Sequence, residues 1–130
     1  MNTAEVAASA YAVITVGVVV FQLALALGAP WGSYAMGGKF PDHYPPAMRL
    51  AAVAQAAILA LIAAIVLSRA GLILPQWSSV TSWLIWVVVA LGAVGFVLNL
   101  ITPSAGERRI WAPVTLVLLI CSLVVALTAG

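Results

Sequence analysis

The side chains best suited to chemistry gather in one stretch of this chain. Gly28 to Pro46, GAPWGSYAMGGKFPDHYPP, holds the only histidine (His43), the only lysine (Lys39) and the only aspartate (Asp42). Imidazole titrates near neutral pH, so His43 is the obvious general acid or base. With Asp42 next to it and Arg49 shortly after, this set would suit a small membrane enzyme acting on a lipid or isoprenoid: one group to move a proton, one to hold an anion. The plainer reading is a solvated loop histidine, because adjacency in sequence does not bring two side chains together. One His and one Cys (Cys121) cannot build a zinc, bis-histidine haem or copper site without a partner chain, so no metal and no cofactor are expected. The single cysteine excludes an intramolecular disulfide and a CxxC motif. GAPWG and MGGK lack a preceding strand and a following Lys-Ser/Thr, so they are not a phosphate-binding loop. They read as turns, with Trp31 as an interfacial anchor.

What surrounds this stretch is almost entirely apolar. Of 130 residues, 65% are hydrophobic and 6% charged, against about 25% charged in soluble domains. A soluble chain of this composition could not cover its surface, so lipid is the expected solvent. The net charge of +2 is too small to point to nucleic acid. The start, MNTAEVAASA, carries Glu5 and no Lys or Arg, which is not the pattern of a cleavable signal. Four stretches meet the need for about 20 apolar residues per span: 6–27, 47–67, 83–101 and 110–129. Gly28 and Pro30 stop the first, and Pro45 and Pro46 start the second. Gly71 and Pro75 end the second, and Ser79, Thr81 or Ser82 would cap the third. Pro103 and Gly106 end the third, placing Pro113 in the first turn of the fourth and Glu107 in a loop. Trp31, Trp77, Trp83 and Trp111 fall near helix ends, and Trp86 a turn deeper. The expectation is an all-α membrane protein, one domain of four transmembrane helices in an up-down bundle.

Orientation follows from the basic residues. The first and third connections and their flanks hold Lys39, Arg49, Arg108 and Arg109, whereas Arg69 alone lies on the other side. The positive-inside rule then puts those connections in the cytoplasm and both termini outside. FQLALALGAP and FVLNLITP form a faint parallel repeat, each followed by a Gly-containing loop and a Pro-led helix.

At 100° per residue the polar and small residues of each helix share a side. Tyr11, Thr15 and Gln22 do so on the first helix. Ala52, Ala56, Ala60 and Ala64 form a small-xxx-small ladder on the second, with Arg49 on that side and Gln55 flanking it. Gly92, Gly95 and Asn99 do so on the third, and Thr115, Ser122 and Ala126 on the fourth. These faces suit helix packing in lipid, where small residues allow close approach and polar ones hydrogen-bond across. By depth, Gln22, Gln55 and Asn99 all lie in the cytoplasmic half, with Arg49 at the mouth. That predicts a ligand-binding polar pocket roofed by Trp31, Tyr34, His43 and Tyr44. The opposing reading is that the amides satisfy one another and backbone carbonyls. No Asp or Glu is expected within a span, which argues against a cation-coupled exporter of the small multidrug-resistance type.

GAPWGSYAMGG (Gly28 to Gly38) and LITPSAGERRIWAPV (Leu100 to Val114) resemble motifs of a group of uncharacterised small four-helix membrane proteins from high-GC bacteria, mainly actinobacteria. The resemblance covers most of the chain. It implies a multi-pass protein of the bacterial cytoplasmic membrane and no assigned reaction. Together these readings favour a non-enzymatic module. It would bind a lipid or small amphipath, or a partner membrane protein, which could be a second copy of the chain. The lipid enzyme, or a carrier or channel for a neutral or anionic solute, are the alternatives.

Overall fold

Each helix begins and ends where local backbone chemistry dictates. In a computed structural model describing residues 1–129, the elements are α1 (Thr3–Ala26), α2 (Pro46–Arg69), α3 (Ser78–Ile101) and α4 (Ala105–Thr128). Short 3-10 turns cover Gly32–Tyr34, Met36–Gly38 and Pro75–Trp77. A capping box opens α1: Glu5 N–H donates to Asn2 Oδ1 at 2.8 Å, and Asn2 N–H to Glu5 Oε1 at 3.1 Å. Both α1 and α2 close in Schellman motifs. Ala29 N–H reaches the Ala24 carbonyl and Gly28 N–H the Leu25 carbonyl; Leu72 N–H reaches Leu67 and Gly71 N–H reaches Ser68. Pro46 sits at the first position of α2, where its missing N–H costs nothing.

Two boundaries differ from the sequence reading. No side chain caps α3: it follows Trp77 directly, and the Thr81 and Ser82 hydroxyls donate to the Ser78 and Ser79 carbonyls instead. α4 starts at Ala105 because Ser104 Oγ accepts the Glu107 N–H at 3.2 Å. Gly106 and Glu107 therefore belong to the first turn of α4, and Pro113 lies inside the helix. There its ring removes the donor that the Arg109 carbonyl would otherwise meet.

All four helices are 24 residues long, about 36 Å at 1.5 Å per residue. That exceeds a hydrocarbon core of about 30 Å, and all four are long and apolar enough to cross a membrane. Large apolar side chains such as Val13, Leu50 and Leu91 are exposed, as lipid-facing positions require. α1 packs chiefly on α2 and α3 on α4. α1 also meets α4, and the α2–α3 contact is thinner. Ala8, Tyr11, Ala63, Val66, Ile85, Val88 and Val125 form one cluster, near both termini and the second connection. A smaller cluster of Leu25, Tyr44 and Ala52 lies under the first connection.

The alanine ladder is corrected in part. Ala52 and Ala56 are buried, but Ala60 is exposed and Ala64 half-buried; the buried series continues through Ala63 and Val66. Four-residue steps turn 400° each, so a strict ladder drifts about 40° per step off the contact face. Alternating steps of four and three stay on it. Gly92 does meet α4, where a Cβ would lie 3.5 Å from Leu119, whereas nothing approaches Gly95 within 4 Å. Ala56→Leu should therefore destabilise the bundle by about 1–3 kcal/mol through overpacking, and Ala60→Leu by well under 1 kcal/mol. Thermal unfolding of both variants in the same detergent checks this.

Candidate functional site

The Gly28–Pro46 stretch folds into a cap on one end of the bundle, held by backbone geometry and four anchors. Gly28 takes a φ of +99°, and a Cβ there would lie 3.2 Å from the Arg49 guanidinium. Arg49 Nε donates to the Tyr44 carbonyl at 2.8 Å. Arg49 thus ties the start of α2 to the loop rather than facing a pocket. Gly32 is the tightest point: its N–H donates to the Asp42 carbonyl at 3.0 Å, and a Cβ would collide with the Phe40 carbonyl oxygen. Tyr44 is buried against Leu25 and Ala52, with its ring edge-on to Phe40 at 5.9 Å.

The remaining anchors come from α4. Glu107 is buried, and its carboxylate accepts the Gly37 N–H at 2.8 Å. Ser104 Oγ donates to the Ser33 carbonyl, and Trp111 Nε1 to the Tyr34 carbonyl at 2.7 Å. Trp111 also packs against Phe21 of α1, at a centroid distance of 4.8 Å. Glu107 is the residue that sequence reasoning missed. The signal was present: Ser104-x-x-Glu107 is the capping-box pattern and marks a helix start. Here the carboxylate does not complete the box. It reaches the loop, while Ser104 N–H turns to Thr102 Oγ1 at 3.3 Å. Burial, and next the nearby Glu107 charge, raise the Tyr44 phenol above its ordinary value.

The predicted interior pocket is not assembled. Gln55 is exposed on α2, Gln22 is half-buried on α1, and Asn99 spends its amide on the Gly95 carbonyl of its own helix at 2.9 Å. Trp31 and Tyr34 are partly exposed in the cap. Trp31 stacks parallel to Phe21 at 6.2 Å. His43 and Asp42 do come together, Nδ1 to Oδ1 at 3.2 Å, but both are well exposed, and Arg49 is committed to Tyr44. Among the described residues no cluster of three metal-ligating side chains exists.

A concavity lies instead on the outside of the bundle, between the end of α3 and the start of α4. It is an open groove of about 460 Å³, walled by Phe96, Leu100, Ala112, Pro113 and Leu116. Arg108 and Arg109 line the same groove. Arg108 donates to the Thr102 carbonyl at 2.7 Å, closing the end of α3. Arg109 is exposed and has no hydrogen bond or ion pair among the described residues. No protein-family model, no curated protein and no solved structure matches the chain.

Removing the Glu107 carboxylate (Glu107→Ala) leaves the Gly37 N–H unpaired and should loosen the cap by about 1–3 kcal/mol. Faster tryptic cleavage at the exposed Lys39 reports it. The cap is also expected to loosen in alkali. The folded-state Tyr44 value is raised, so its contribution is complete below the ordinary tyrosine value of about 10 and is lost as pH rises beyond it. Cleavage of the loop by an alkali-stable protease should rise over that range, and less so in Tyr44→Phe.

Proposed function

We propose that the protein is a four-span component of the bacterial cytoplasmic membrane that binds a lipid or small amphipath without chemically transforming it. The termini lie outside and the cap lies in the cytoplasm. The observation that carries this reading is the α3–α4 groove. Its walls are apolar, it opens sideways where acyl chains lie, and two arginines stand at the capped end. Those arginines break a local rule. They sit early in α4, where the helix dipole disfavours positive charge. Arg108 closes the end of α3 at Thr102, but no contact among the described residues accounts for Arg109. Two further roles suit both: retaining the third connection in the cytoplasm and attracting anionic headgroups, at roughly 1 kcal/mol per arginine near the surface. Lys39, Arg49, Arg108 and Arg109 against Arg69 support the orientation, and the resemblance noted above supports the bacterial setting.

The test uses the full chain in vesicles with a photoactivatable phospholipid. Cross-links are expected at Leu100 and Leu116. Ala112→Trp, which fills the groove, should remove them. Arg108→Gln with Arg109→Gln should weaken capture of an anionic lipid about thirty-fold. Cross-links spread evenly around the bundle would overturn the reading. A second reading, a lipid-modifying enzyme, is favoured only by the His43–Asp42 contact. Retention of full activity by His43→Ala on any substrate found for the protein would remove it.

A further inference from the structure

We infer that the face of α2 bearing Gln55 is a self-association surface, on which two copies of the chain pair their Gln55 amides. This is independent of the α3–α4 groove and rests on depth. Gln55 lies two to three residues from the midpoint of α2, about 4 Å along the axis at 1.5 Å per residue. With that helix centred in about 30 Å of hydrocarbon, the nearest headgroups are about 11 Å away, beyond the reach of a glutamine side chain. Gln55 is nevertheless exposed and has no hydrogen bond among the described residues.

Most other polar side chains within the helices do not share this condition; Ser9, Tyr11 and Trp86 also make no hydrogen bond among the described residues, but Ser9 is half-buried, Tyr11 is buried, and Trp86 carries a single indole donor and no acceptor. Thr15, Asn99, Thr115 and Ser122 donate to the Tyr11, Gly95, Trp111 and Leu119 carbonyls of their own helices. Gln22 is half-buried and lies toward the cap. Gln55 is thus left facing hydrocarbon with two amide donors and a carbonyl acceptor unmet, a condition relieved by a partner at the same depth.

A second copy of this chain fits that need. A primary amide is both donor and acceptor, so it complements itself. A two-fold axis along the membrane normal brings each residue to its counterpart at equal depth. Beside Gln55 on the exposed side lie Ala51 and Ala54, which let backbones approach, and then Ile58 and Leu61. The residues α2 uses within the chain, Ala52, Ala56 and Ala63, are buried and are not needed for the pairing.

The experiment measures energy transfer between labelled full-length chains in phosphatidylcholine–phosphatidylglycerol vesicles as the lipid-to-protein ratio is raised. The wild-type chain should dimerise, and Gln55→Leu should shift the midpoint about ten-fold toward higher protein density. Gln55→Asn, which keeps the amide, should retain part of the effect. Circular dichroism confirms that Gln55→Leu, an apolar replacement in an apolar span, remains helical. In a Cys121→Ser background, Ile58→Cys should cross-link into a disulfide dimer and Ala60→Cys, on the other flank of α2, should not. A chain that is monomeric at every density, a dimer indifferent to Gln55→Leu, or cross-linking through Ala60→Cys would each overturn the inference. So would capture of Gln55 by a different membrane protein.

Discussion

Hydrocarbon offers no hydrogen-bond partner, and most of this structure answers to that constraint. A backbone amide left open in lipid costs several kcal/mol, so only unbroken helices such as these four, long and apolar enough to cross, meet it. The hydroxyls of Thr15, Thr115, Ser122 and Thr128 follow the same logic by bonding backward to their own helices. At the ends, where orphan carbonyls and amides collect, the chain closes itself with Schellman turns after α1 and α2 and with side-chain caps before α1 and α4. The guanidinium groups join in: Arg69 donates to the Ala129 carbonyl near the end of α4, and Arg108 to Thr102 at the end of α3. The one large irregular segment lies at a helix end, and its backbone is tied to α2 and α4 rather than left open.

The two acidic caps show how similar local sequences acquire different roles. Glu5 closes a reciprocal box with Asn2 in an exposed setting and concerns α1 alone. Glu107 holds the corresponding position in α4, yet it is buried and extends to Gly37. It therefore stabilises the first turn of its helix by charge and fixes the cap by a long-range bond. This leaves the arginines that follow it as the polar groups of that turn that face outward.

Much of the fold was legible because composition and proline–glycine punctuation are local signals. Four apolar runs, the stops at Gly28 and Gly71 and the start at Pro46 correspond to elements of the structure. The apolar run starts α4 near Ile110 with Pro113 in its first turn, but Ser104 and Glu107 already supply a helix start five residues earlier. The ladder on α2 failed at Ala60 because helices that cross gradually are met at alternating spacings. The candidate site was less legible still. Gln22, Gln55 and Asn99 fall in the same half of their helices, but that does not fix exact depth, azimuth or partner. Asn99 satisfied itself on Gly95, and Gln55 turned outward. Whether His43 would meet Asp42 depended on loop dihedrals that no spacing encodes.

The bond between Gly37 and Glu107 spans 70 residues of chain, which bears on how the protein is made. The loop emerges with the first helical hairpin, but its carboxylate partner, like Ser104 and Trp111, belongs to the last helix. Throughout synthesis of α2 and α3 the cap is without those three anchors. It becomes complete only when α4 is released into the bilayer beside α1. Closure of the cap thus waits on the last helix, and a chain stalled or truncated before α4 would leave this segment unlatched.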